Sequence, residues 1–201
     1  MYNASTVTPR IIQLGRILAM VLALTTTLGG CAKIIAVTTS EPIQINTNKR
    51  TLGTKINDKQ LETIARVNLS KASKQLEEAH INIDSFNGIV LLTGQVPNDQ
   101  LRVLAGDTVG KINPVRQVHN ELTAGAPTTF QARSKDSWIT TKIKTKLVAS
   151  NIQSRRILII TEAQTVFLMG LVSRYEADRI TDVAKNTRGV KQVVKVFEYV
   201  D

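Results

Sequence analysis

The sequence is poor in the residues that most often carry chemistry: among 201 positions there is one cysteine, one tryptophan and two histidines. A lone cysteine excludes an internal disulfide framework. His80 and His119 fall at the margins of expected strands and in no spacing that suggests a zinc site. Also missing are a glycine-rich phosphate loop, a nucleophile elbow and the paired-histidine helix of a zinc protease. Acidic pairs such as Glu77 with Glu78 lie in amphipathic segments and read as solvated faces. No catalytic residue, metal ligand or cofactor is therefore expected, and a periplasmic hydrolase would need titratable groups brought together in a cleft from distant positions. Aromatic residues are only 4% of the chain, so the core has to be built from Ile, Val, Leu and Ala. The longest apolar run, Ile17 to Leu28, is shorter than the roughly 20 residues that span a bilayer.

That run has a different reading. Arg10 and Arg16 precede it as a positive n-region and small residues follow it, the layout of an export signal. It ends in Leu28-Gly29-Gly30-Cys31, which resembles the lipobox of bacterial lipoproteins, where the cysteine thiol receives diacylglycerol. The resemblance implies a signal peptide over residues 1–30 and lipid attachment at Cys31. Ala32, in place of an aspartate, implies sorting to the outer membrane, with the chain anchored on its periplasmic face. Several acyl chains together hold a protein firmly where one is marginal. The net charge of +10 calls for an anionic partner, and export removes nucleic acid from the candidates.

Residues 31–47, rich in Thr, Ser and Asn with Pro42, read as a tether. Beyond it the chain repeats. Val90-Leu91-Leu92-Thr93-Gly94-Gln95-Val96 matches Val166-Phe167-Leu168-Met169-Gly170-Leu171-Val172, and Val115-Arg116-Gln117-Val118 matches Val190-Lys191-Gln192-Val193. Each copy reads as helix, strand, strand, helix, strand. In the first the pieces are Lys59–Leu76, Ile81–Ser85, Ile89–Val96, Asp99–Lys111 and Val115–Leu122. In the second they are Asp136–Ala149, Ile157–Thr161, Thr165–Val172, Tyr175–Asn186 and Val190–Val200, with Ser134 or Asp136 available as the cap of the first helix. Asn87-Gly88 favours a tight turn with two positive φ angles; Ala163-Gln164 predicts a different turn in the second copy. Gly94 and Gly170, inside strands, predict close approach of a helix or loop. The expected class is α+β: two tandem domains, over residues 48–124 and 134–201, each with two helices on a three-stranded mixed sheet, joined by a hinge at 125–133.

This layout, the paired glycine-bearing strands and the Gly189-Val190-Lys191-Gln192-Val193 segment resemble the BON domain, a small module associated with periplasmic and outer-membrane proteins. The run Asp136-Ser137-Trp138-Ile139-Thr140-Thr141-Lys142 adds to the likeness. A lipobox followed by two such domains resembles the dual-BON outer-membrane lipoproteins.

The charge is unevenly shared: residues 47–124 hold 10 Lys and Arg against 8 Asp and Glu, and residues 133–201 hold 13 against 7. Lys135, Trp138, Lys142 and Lys146 recur at helical steps beside the apolar Ile139, Ile143 and Leu147. A tryptophan among lysines suits a membrane interface, and it suits equally a ring that closes the core while the lysines solubilise the helix. The family resemblance implies the first, because the second BON domain of such lipoproteins is associated with anionic phospholipid binding through this helix and Trp138 matches the family's tryptophan. The implied partners are anionic phospholipid, phosphatidylglycerol or cardiolipin, with a role in outer-membrane integrity. The competing expectation is an adaptor whose basic face docks on an acidic protein, such as an outer-membrane assembly component.

Overall fold

Two β-hairpins, each extended by a helix and a third parallel strand, make up the sheets of the described residues. The computed structural model describes residues 52–152 and 156–200; the expected signal peptide, Cys31 and the tether lie outside them. Thr47–Asp201 forms one compact unit.

In the first repeat, helix α1 (Leu52–Ala72) is followed by a short helix α2 (Lys74–Glu78). Ser73 separates them: its hydroxyl accepts from the Gln75 amide and restarts the helix, so the expected single helix is broken. Strands β1 (His80–Phe86) and β2 (Ile89–Val96) pair antiparallel, helix α3 (Asp99–Gly110) crosses over, and β3 (Gln117–Ala124) pairs parallel with β2. The second repeat runs α4 (Phe130–Ala149), β4 (Ile157–Glu162), β5 (Thr165–Val172), α5 (Arg174–Lys185) and β6 (Gln192–Tyr199), with the same pairing. Each sheet is therefore mixed, with the central strand second in the chain.

Three further expectations are corrected. The segment 125–133 is helical from Phe130 onward: Thr129, rather than Ser134 or Asp136, caps α4 by accepting from the Ala132 amide. The two hairpins use the same kind of turn, since Asn87 and Gly88 have φ of 53° and 77° and Ala163 and Gln164 have 49° and 66°. A buried aspartate braces each one. Asp58 accepts from the amides of Asn87 and Gly88, and Asp136 accepts from those of Ala163 and Gln164, all at 2.9 Å. These charge-assisted bonds offset the positive-φ strain in Ala163 and Gln164. Finally, what approaches Gly94 is a strand and not a helix or loop, while Gly170 is approached, as expected, by the helical turn that leads into β4. A Cβ at Gly94 would strike the His80 carbonyl at the start of β1, and one at Gly170 would lie 3.0 Å from the Arg156 carbonyl just before β4.

Each sheet covers its own helices on one face, giving one core around Leu61, Ala65, Val90, Leu92 and Ala105 and another around Ile139, Ile143, Val166, Leu168 and Ile180. The other faces meet. Phe86, Ile89 and Leu91 of the first sheet pack on Phe167, Met169 and Val196 of the second, so the order of layers is helix, sheet, sheet, helix. This explains why every residue of β2 is buried. At one side of the seam the buried Glu162 carboxylate accepts from Asn82 Nδ2 (3.3 Å), Gln95 Nε2 (2.8 Å) and Thr128 Oγ1 (3.5 Å), while Gln95 Oε1 takes the Thr128 amide. At the other, Glu198 binds Asn87 Nδ2 and Arg116 Nη1, each at 2.7 Å. The connection between the repeats is thus tied to both sheets through Thr128.

Candidate membrane-facing helix

Helix α4 owes its orientation to one face and its exposed chemistry to the other. Asp136, Ile139, Ile143 and Leu147, at steps of three or four, are buried against the second sheet, as the 3.6-residue period requires. Trp138 points away from that face and is 67% exposed. The ring therefore does not close the core. Phe130 and Val148 are exposed at 76% and 63%, and at 100° per residue they fall on the same side of the helix as Trp138. Between them lie Ser137, Thr141 and Thr145, whose hydroxyls donate to the carbonyls of Arg133, Ser137 and Thr141 at 3.1, 2.9 and 3.0 Å. A hydroxyl satisfied within its own helix loses little when water leaves.

Basic residues flank this uncharged strip. Lys135, Lys142 and Lys146 line the side toward α5, while Arg133 and Lys144 lie on the far side. The four expected residues do share one region of the helix, but they are differently occupied. Lys135 and Trp138 face solvent. Lys142 Nζ donates to the Arg188 carbonyl at 2.8 Å and Lys146 Nζ to the Asn186 carbonyl at 2.9 Å. These two ammonium groups sit at the C-terminal end of α5, where carbonyls lack helical partners and the helix dipole favours a cation.

Phe130, Arg133 and Val148 have no place in the stripe read from sequence: the first two precede the expected helix start at Asp136, and Val148, though within the expected helix, is not one of the positions Lys135, Trp138, Lys142 and Lys146. The signal available was Thr129 as a cap and the eight-residue step from Phe130 to Trp138. A further exposed aromatic, Tyr175, opens α5 with the Arg179 guanidinium 5.7 Å above its ring, and Arg179 reaches the Ser150 carbonyl at the end of α4. No group of three or more His, Cys, Asp or Glu side chains among the described residues is arranged to hold a metal ion. No helix of the described residues is long and apolar enough to cross a membrane.

The repeated helix–hairpin–helix–strand unit is the BON domain, whose family model matches residues 57–126 and again 135–201. The chain belongs to the BON-domain family, with two copies. It is 36% identical to the outer membrane lipoprotein DolP of Haemophilus influenzae over 185 residues, 92% of this chain and 96% of that protein. It is 41% identical to a 21 kDa hemolysin of Actinobacillus pleuropneumoniae over 152 residues, 75% of this chain and 78% of the relative. Among solved structures, the C-terminal domain of CdsD, a structural protein of the type III secretion system of Chlamydia trachomatis, aligns with 15% identity and a TM-score of 0.28, over 72% of this chain and 67% of that one. The chain is thus a DolP-like dual-BON protein.

Proposed function

We propose that the protein is a lipoprotein held by Cys31 on the periplasmic face of the outer membrane, where its second BON domain binds anionic phospholipid through α4 and so supports envelope integrity without catalysis. The observation that carries this reading is the exposure of Trp138 on a helix bordered by cations. An indole ring costs free energy in water and gains it at headgroup depth, while Lys and Arg meet lipid phosphates. Each cation near an anionic surface contributes on the order of 1 kcal/mol, enough to decide docking once an anchor keeps the domain close. The stripe of Lys135, Trp138, Lys142 and Lys146 marks the helix face proposed to meet the lipid, with phosphatidylglycerol or cardiolipin as that lipid. The first domain braces the second through the seam between the sheets. Similarity over nearly the whole length to an outer membrane lipoprotein supports the location, and the length of that match includes the region of Cys31.

Two measurements test the proposal. Palmitate labelling of cells should mark the parent and not Cys31→Ser. In vesicle co-sedimentation, residues 32–201, which contain the whole compact unit, should bind phosphatidylglycerol vesicles in preference to phosphatidylcholine, with Trp138→Ala weakened and still folded by circular dichroism. Equal sedimentation of Trp138→Ala and parent would remove α4 as the lipid site and leave an adaptor docking on an acidic protein as the better reading.

A further inference from the structure

We infer that the lipid contact on α4 is made by Phe130, Arg133 and Lys144 together with Trp138 and Lys135, and that Lys142 and Lys146 are positioning residues that hold the end of α5. The inference rests on the phospholipid reading and redraws its site. Three observations carry it.

The apolar strip is longer than the segment around Trp138. From Phe130 to Val148 it runs about 27 Å along the helix at 1.5 Å per residue, with an exposed large side chain at each end and near the middle. The Ser137, Thr141 and Thr145 hydroxyls between these are already bonded to helix carbonyls, so most of the strip can leave water at little cost, with the exposed Ser134 hydroxyl the exception. A surface of this form lies in the plane of an interface instead of inserting one ring.

The cations divide by occupation. Arg133, Lys135 and Lys144 are exposed and form no side-chain ion pair or hydrogen bond among the described residues. Lys142 and Lys146 are engaged by the Arg188 and Asn186 carbonyls. Each of these ammonium groups keeps two further donors but is tethered by its carbonyl, so a phosphate could meet it only where that bond holds it, whereas Arg133 and Lys144 can swing to a phosphate and lose only water. Arg133 brings a planar fork of donors as well, suited to two phosphate oxygens at once.

The positions also fit. Arg133 and Lys144 border the strip on the side away from α5, and Lys135 borders it on the other, so a flat helix offers phosphates a cation on each side of its buried strip.

The test is co-sedimentation of residues 32–201 with vesicles of phosphatidylglycerol in phosphatidylcholine, each variant being melted in parallel. Arg133→Gln/Lys144→Gln should weaken binding roughly thirtyfold with an unchanged melting temperature, and Phe130→Ser should weaken it with an unchanged melting temperature as well. Lys142→Gln/Lys146→Gln should lower the melting temperature while weakening binding several-fold less than the Arg133/Lys144 pair. The assignment is overturned if Trp138→Ala weakens binding but Phe130→Ser does not, or if the Lys142/Lys146 pair costs as much binding as the Arg133/Lys144 pair. Failure of the parent to bind, or undiminished binding by Trp138→Ala, removes the phospholipid reading itself and this assignment with it.

Discussion

At the scale of single residues the fold is specified by side chains that answer backbone needs. Ala163 and Gln164 adopt a turn that Asn-Gly would take with little strain, and they are held there by Asp136. Gln164→Gly removes the positive-φ penalty at a position already shaped for glycine, so it should stabilise the protein by about 1 kcal/mol. Thermal melts of variant and parent check this. Asp84, half-buried on β1, behaves differently: burial, with Glu62 nearby, pushes its carboxyl up to about 6, against the pull of Lys59 and Arg66. A folded-state value above the unfolded 3.8 means that the folded protein keeps a proton the unfolded chain has lost. Stability from this group is therefore full below the unfolded value and falls as pH rises through about 6. Asp84→Asn should match the parent near pH 3.5 and exceed it at pH 7.5 by about 1–2 kcal/mol after allowance for solvent screening. Denaturant midpoints at the two pH values decide it.

At the scale of elements the two repeats invite comparison, because equivalent glycines face unequal demands. Gly94 has φ of 118° and the His80 carbonyl in the space a Cβ would fill, whereas Gly170 meets only a 3.0 Å contact without that backbone angle. Gly94→Ala should cost more than about 3 kcal/mol and Gly170→Ala about 1, a difference visible in melting temperatures; equal losses would refute the distinction. The same comparison shows what the residues revealed beforehand. The ends of β2 and β5 are legible in the sequence because turn dipeptides precede these apolar-rich segments and Pro97 or Ser173 follows them. The start of α4 was missed because none of the residues Phe130 to Lys135 faces the core, so the apolar period begins only at Ile139. Spacing alone puts Lys135 and Trp138 on one stripe but leaves open whether the ring closes the core, which its exposure in the structure decides. The engagement of Lys142 and Lys146 was not, since their carbonyl partners lie 46 and 40 residues further along the chain.

At the scale of the whole molecule the seam between the sheets makes two BON domains one body. The continuous apolar character of Val90 to Leu92 was its only trace in sequence, because a strand buried on both faces looks the same whatever covers the second face. Glu162 is the polar centre of one side of the seam. Glu162→Ala strips the Asn82 and Gln95 amides of their acceptor and should cost about 1–3 kcal/mol, seen in calorimetry as a lower transition for the entire unit; a change confined to the second domain would contradict the coupling. The same layering sets the helices of the two repeats on opposite outer faces, leaving α4 free to meet a surface. Because Trp138 is the only tryptophan in the sequence, its emission reports on that helix alone. Titrating residues 32–201 with phosphatidylglycerol vesicles should shift this emission to the blue and let brominated acyl chains quench it, with neither effect from phosphatidylcholine. An emission spectrum unmoved by anionic vesicles would contradict the central claim that α4 is the membrane-binding face.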